Sequence, residues 1–255
     1  MAGSRESAWG KEKRFREGQT KQVLDTLFFD FIDLAKKLQP KIVIAENVKG
    51  LLLGEAKKYV QRIYSEFDRA GYACQHFLLN AQYMGVPQRR ERVFFICLRK
   101  DLKDRVPVTH TLFDTLPLLR LDFNEPPILF GEIADYKGRE ITAPKTRLLW
   151  DNHIETDRLL SDVAIRLFNK KTHFNFVFFD ENEVAPTLTT SGHDNLILKS
   201  SPSFLSRNEI LRLSSFPIDF NATDKQIGYL AGMSVPPVMM AQIAVQLYEQ
   251  WLIQL

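Results

Sequence analysis

The sequence predicts an α/β protein, built as a doubly wound sheet with a second, irregular domain. Three observations carry this. Over the first hundred residues, helical and strand-like apolar periods alternate: helix, strand, helix, strand. The stretch QPKIVIAENVKG (39–50) holds an unbroken apolar run from Ile42 to Ala45, as strands covered on both faces of a parallel sheet do. From Asp101 to Val184 no period lasts, and short apolar pieces (LPLLRL, PILF, RLLW, FNFVFF) alternate with charged and proline-bearing segments.

Taken in order, residues 1–18 are polar, charged and glycine-punctuated, and read as a loop. Residues 19–38 place Val23, Leu27, Phe28, Phe31, Leu34 and Leu38 at helical spacing, and Pro40 stops that helix. The strand at 41–45 follows. A second helix, about 55–70, carries Val60, Ile63, Tyr64 and Phe67 on one side and ends at Gly71. A strand at about 72–79 leads into the loop NAQYMGVPQRRER, and VFFICLR (93–99) is a third strand. Regular structure returns at 204–216 and 223–231. A long amphipathic helix, about 236–253, closes the chain with Pro236 and Pro237 at its start, where proline is tolerated.

Composition narrows the class. The 255 residues are 45% hydrophobic and include 19 Phe, enough for a sizeable core and against a disordered chain. A net charge of +3 is too small to argue a nucleic-acid partner, so only local clusters can. Cys74 and Cys97 lie in apolar stretches without CxxC spacing, which argues against a disulfide framework or a metal site and fits a reducing compartment. No apolar run is read as a membrane span and the N-terminus is not signal-like, so the expectation is a soluble, cytoplasmic protein.

Two stretches carry chemistry. Glu46 and Asn47 end the strand at 41–45, and α/β sheets place their chemistry at strand carboxyl ends. In MGVPQRRER, Gly85 and Pro87 fix a turn before Arg89, Arg90 and Arg92, immediately ahead of an apolar strand. A solvated basic face is the ordinary reading of such a cluster. Strand alternation, however, puts Arg90 and Arg92 on one side, where two forked guanidiniums hold a phosphate or the oxygen of a base edge.

Three later segments join these: PTLTTSG (186–192), LSRNEILRLSSFP (205–217) and QIGYLAGMSVPP (226–237). In this order and spacing the set resembles the DNA cytosine-5 methyltransferases. Glu46–Val48, Val86–Arg92, Pro186–Thr189, Glu209–Pro217 and Gly232–Pro236 stand where that family has its Glu-Asn-Val, Val-Pro-Gln-Arg/Lys-Arg-Glu-Arg, Pro-Thr-Leu-Thr, Arg-Glu-x-x-Arg-Leu-x-x-Phe-Pro and Gly-Asn-Ala/Ser-Val-Pro segments. Two departures stand out: Asn208 replaces the family's arginine before Glu209, and Met233 replaces its asparagine.

The resemblance implies a partial Rossmann-like methyltransferase sheet within 1–100, a target-recognition domain within 101–203, and a supporting segment with the closing helix within 204–255. It implies bacterial restriction-modification chemistry: methyl transfer from S-adenosylmethionine to carbon 5 of a cytosine turned out of the duplex. Glu46 would meet ring nitrogen 3, and Arg92, with Arg90, the oxygen on carbon 2. Met233, Ser234 and Val235 would touch the cofactor. Asn47, Gln88, Arg89, Thr187 and Thr189 would touch DNA. Lys137, Arg139, Lys145, Arg147, Lys170 and Lys171 are available for phosphates, and His153, Thr172 or Asn175 for base edges.

The family's glycine-rich cofactor loop, its ribose-binding acid and its nucleophilic Pro-Cys pair have no counterpart in this sequence, so only part of the cofactor site is present. The opening residues resemble the segment that follows Pro-Cys. The resemblance therefore implies a subunit or truncated form, inactive alone and poorly soluble unless a second polypeptide supplies the missing half. A catalytically dead, sequence-specific DNA-binding module is the alternative, and a small-molecule α/β enzyme is a third reading.

Overall fold

The computed structural model describes residues 24–110, 115–169, 176–189 and 195–255. The loop read at 1–18, the start of the first helix, and the candidates Lys170, Lys171, Thr172 and Asn175 lie outside them. The chain divides into two compact units. One takes the described residues of Met1–Leu79, Glu91–Leu121 and Val245–Leu255; the other takes those of Asn80–Arg90 and Asp122–Ala244.

The first unit is the α/β part. Helix α1 (Leu24–Leu38) leads to β1 (Ile42–Val48), α2 (Lys57–Arg69), β2 (Tyr72–Asn80) and β3 (Glu91–Arg99). The strand order is β1-β3-β2, and β1 runs antiparallel to β3 with Ile42 opposite Leu98 and Val48 opposite Arg92. This corrects the parallel reading of β1. Val43, Ala45 and Asn47 are buried, whereas Ile42, Ile44 and Val48 are half-buried, so β1 buries one face fully rather than both. The strand covered on both faces is β3, where Val93 through Leu98 are all inaccessible. Among the described residues β1 pairs only with β3, and its other edge has no strand partner.

The helices take their positions from their apolar faces. Ile63 and Phe67 of α2 and Ile32 and Ala35 of α1 pack with Val43, Ala45, Tyr72, Cys74, Val93, Phe95 and Cys97 of the sheet. Gly71 ends α2 at φ +91, a left-handed turn that suits glycine, with its N–H donating to Asp68 O at 3.1 Å. In α1 the face that packs is not the whole face the spacing predicts. Phe28, Ile32 and Ala35 turn inward, while Leu27, Phe31, Leu34 and Leu38 are exposed. The helix carries two apolar stripes, and the fold uses one.

The second unit is largely irregular, as the middle of the sequence reads, with short regular elements set into it. Strand β6 (Val177–Phe179) pairs in parallel with β7 (Leu196–Leu198), and α3 (Pro144–Asp151) and α4 (Leu160–Phe168) pack beside them through Leu149, Leu160, Val163, Ala164, Phe178 and Ile197. Further on come α5 (Arg207–Leu213) and α6 (Asp224–Met233), which bury Ile210, Leu211, Leu213, Ile227 and Ala231 against Phe130, Phe179 and Leu188. A short pair, β4 (Val108–His110) and β5 (Thr115–Pro117), belongs to the first unit. The closing helix α7 covers Pro237–Gln250. The stretch Gln226–Gln254 is apolar enough for a membrane span, with mean hydropathy 1.4. It is nonetheless two helices, interrupted where Ser234 adopts extended backbone (ψ 154) ahead of the prolines.

The departure at Asn208 has a structural answer. Glu209 is buried and needs no arginine. Its Oε1 accepts the Asp135 and Tyr136 N–H groups at 3.0 and 2.9 Å, and its Oε2 accepts Ser206 N–H at 2.7 Å. Arg207, one residue before Asn208, reaches Phe220 O and Ala222 O at 2.7 and 2.8 Å.

Candidate active site

In the first unit, the antiparallel register sets the carboxyl end of β1 beside the start of β3. Glu46 and Arg92 come together there: Arg92 Nε lies 2.9 Å from Glu46 Oε1, and Arg92 Nη1 donates to Glu91 O at 2.8 Å. Both side chains stay partly open, at 31% for Glu46 and 14% for Arg92. Burial lowers the Arg92 pKa below its ordinary value, and the neighbouring Glu46 carboxylate works against that shift. A second pair, Lys49 with Glu91 at 2.8 Å, ties the same strand ends together. Sequence reasoning missed it, although Lys49 follows Glu-Asn-Val directly and Glu91 stands between the arginines.

A cleft of about 390 Å³ opens here, lined by Leu27, Phe28, Phe31, Ile44 through Val48, and so by the open edge of β1 and the exposed stripe of α1. Its walls are mostly apolar, with Glu46 and Asn47 the polar residues among those lining it. Such a cleft takes a flat, partly apolar ring with polar edges. Asn47 also lines the cleft, but it is only 4% exposed, and its Oδ1 accepts the Val48 N–H at 2.8 Å. The structure therefore places Asn47 inside, not on a DNA-facing surface.

The remaining loop residues belong to the second unit. Arg90 is 1% exposed and donates to Leu188 O at 3.1 Å, Gly232 O at 2.9 Å and Ser234 O at 2.7 Å. A guanidinium so committed has no fork left for a base, since withdrawing it would strip three carbonyls, two of them in buried bonds, of a donor. This corrects the reading of Arg90 as a base-holding group. Gln88 is equally internal: its Nε2 donates to Leu213 O and its Oε1 accepts Leu188 N–H, both at 3.2 Å, so it is not a DNA contact. Arg89 remains at the surface, paired with Glu183 at 3.2 Å. Thr187 donates its hydroxyl to Arg89 O, and Thr189 is exposed.

Arg90 also fixes the end of α6. Its two contacts there flank Met233, which is exposed, while Ser234 Oγ donates to Leu230 O at 2.7 Å and Val235 is half-buried. Met233 presents a thioether that donates no hydrogen bond. Of the three, only Met233 is exposed, and Ser234 turns both its hydroxyl and its carbonyl to internal partners.

Of the recognition candidates, Arg147 is engaged by Glu140 and Asp151, each at 2.9 Å. Arg139 lies over the Phe204 ring at 4.9 Å. His153 stacks on Phe178 with ring centroids 5.0 Å apart, and its Nδ1 lies 2.5 Å from Trp150 O, so its ring serves packing rather than a base edge. Among the described residues no cluster of His, Cys, Asp and Glu could hold a metal ion.

A family model for C-5 cytosine-specific DNA methylases matches residues 6–249. The chain belongs to that family. Among curated members, 76 residues are 49% identical to the type II methyltransferase M.FnuDI of Fusobacterium nucleatum, covering 30% of this chain and 22% of that protein. Another 126-residue match is 39% identical to the type II methyltransferase M.Eco47II of Escherichia coli, covering 49% and 30%. The matched segments thus span less than a third of these curated relatives. A crystal structure of a DNMT2 mutant from Spodoptera frugiperda superposes with TM-score 0.60 at 17% identity, covering 94% of this chain and 75% of that one. The Entamoeba histolytica methyltransferase EhMeth gives 0.53 at 17%, covering 89% and 68%. These likenesses show the fold, an α/β methyltransferase fold. Within this methylase family member, the Glu46–Arg92 pair joins two of the recognised segments in a single unit, and Glu46 lines a cleft there.

Proposed function

We propose that this chain supplies the base-holding and recognition portion of a bacterial, cytoplasmic type II DNA cytosine-5 methyltransferase, which transfers a methyl group from S-adenosylmethionine to carbon 5 of an extruded cytosine. The observation that carries the reading is the Arg92–Glu46 contact of 2.9 Å, with Glu46 lining the 390 Å³ cleft. Cytosine carbon 5 becomes nucleophilic only after a thiolate adds at carbon 6 while ring nitrogen 3 gains a proton. Glu46 is the partner for nitrogen 3, carrying or sharing the proton that the ring takes up. Arg92 holds the Glu46 carboxyl in position and offers its remaining N–H groups to the oxygen on carbon 2. Lys49 and Glu91 keep the two strand ends in register beneath them.

The cofactor supplies the methyl group on a sulfonium. This chain's part is the Met233 wall, with the α6 terminus held by Arg90.

The thiolate and the principal cofactor loop come, on this reading, from polypeptide outside this sequence. Three features support it. The only cysteines, Cys74 and Cys97, are buried in β2 and β3. The outer edge of β1 lacks a strand partner among the described residues, and an apolar open edge is a feature native proteins cover. Leu27, Phe31, Leu34 and Leu38 of α1 present an exposed apolar stripe. A catalytically dead DNA-binding module remains the alternative, and it has no use for a carboxylate paired with a guanidinium beside a mostly apolar cleft.

The test is Glu46→Gln in the chain complemented by a polypeptide carrying the glycine loop and Pro-Cys. We expect methylation to fall by about 10²-fold or more with DNA affinity unchanged. Equal methylation by the variant overturns the role given to Glu46.

A further inference from the structure

The two buried cysteines lie outside the proposed chemistry, yet they face each other. Cys74 on β2 and Cys97 on the adjacent β3 bring their sulfurs to 2.6 Å. That is well inside ordinary sulfur–sulfur contact and within about 0.6 Å of a disulfide bond. Sequence spacing hides this, because 22 residues separate them along the chain and no CxxC is formed. We infer that Cys74 and Cys97 form a cross-strand dithiol that a peroxide converts to an intramolecular disulfide joining β2 to β3.

Burial assigns the order of events. Cys74 is 8% exposed and Cys97 is inaccessible, so Cys74 meets the oxidant first. Burial and the neighbouring Cys74 push the Cys97 thiol well above its ordinary pKa, so Cys97 stays a thiol while Cys74 is oxidised first. The Cys74 sulfur attacks one peroxide oxygen; the O–O bond breaks, one water leaves and a sulfenic acid forms. The Cys97 sulfur then attacks the Cys74 sulfur; the S–S bond forms, the S–O bond breaks and a second water leaves. Two thiols and one peroxide thus give one disulfide and two waters. Tyr64 and His76 close over Phe95 beside the pair, with the Tyr64 hydroxyl 2.5 Å from His76 Nδ1, so the site is covered on the helix side and a second protein thiol has no ready approach. Intramolecular closure therefore outruns dimer formation.

The experiment treats the folded chain with hydrogen peroxide, unfolds it in iodoacetamide, and reads intact mass and peptide maps before and after reduction. We expect a protein lighter by two hydrogens, without alkylation, whose Cys74 and Cys97 peptides stay joined until reduced. We also expect Tm to rise by about 5 °C, because the cross-link closes a loop within the unfolded chain. Cys74→Ser and Cys97→Ser should each leave one thiol, or its sulfinic acid, and no internal bridge. Two alkylated cysteines after treatment, a sulfinic acid at Cys74 in the unsubstituted protein, or an intermolecular dimer each overturns the inference.

Discussion

Replacing Arg90 and Arg92 in turn separates two roles that the sequence gives them jointly. Arg90→Ala removes a buried cation that donates to three carbonyls, at 3.1, 2.9 and 2.7 Å. A hydrogen bond to a charged group contributes about 1.5–3 kcal/mol. Three such bonds do not add fully, because burying the guanidinium has its own cost of several kcal/mol. A net loss of about 3–5 kcal/mol is expected. Arg92→Ala removes a pair whose members are 14% and 31% exposed, which contributes on the order of 1 kcal/mol. Urea unfolding of both variants, followed by circular dichroism, gives the comparison directly, and methylation by the complemented enzyme gives the second axis. Arg90→Ala should unfold at markedly lower urea, while Arg92→Ala should unfold near the parent and lose activity. An Arg90→Ala protein within about 1 kcal/mol of the parent would refute the account of Arg90 as an internal clamp.

Glu209→Ala should cost about 3 kcal/mol, read by urea unfolding, because three backbone N–H groups lose their acceptor inside the second unit. Glu209→Gln should restore part of that loss. Gly85 sits at φ +70, a backbone conformation that an L side chain adopts only with strain, so Gly85→Ala should lower the unfolding free energy by at least about 1 kcal/mol. Asp157 has its pKa held below the ordinary carboxylate value: burial pushes it up, but the Arg166 guanidinium and the Ile154 N–H more than offset this. The stability it contributes is complete above the unfolded value of about 3.9 and is lost as pH falls through the folded one. Acid titration of Asp157→Asn should therefore show a flatter decline below pH ~4 than the parent.

The periods that are long and one-sided were legible. Helix α2 follows from Val60, Ile63, Tyr64 and Phe67, and its end follows from Gly71. Helix α1 was legible as a helix but not in its orientation, since LFFDFIDLAKKL is apolar on two stripes and period alone cannot choose between them. The run IVIA announces burial without strand direction, and the antiparallel partner lies some fifty residues on. Arg90 was misplaced for a local reason: β3 begins at Glu91, so the pleat that orients Arg92 does not extend to Arg90. Helices α3 and α4 were hidden because each is only two to three turns long, with the buried positions split by charged residues. The Glu46–Arg92 pair was legible as chemistry from resemblance alone; its contact depends on a register that no local pattern encodes.

The most direct test is transfer of a radiolabelled methyl group from S-adenosylmethionine onto duplex DNA, by this chain alone and by the chain mixed with a polypeptide bearing the glycine loop and Pro-Cys. The account predicts no incorporation from the chain alone and cytosine-specific incorporation from the mixture. Incorporation by the chain alone would mean that a sulfur nucleophile resides within these 255 residues, and the division of labour proposed for the two pieces would be wrong.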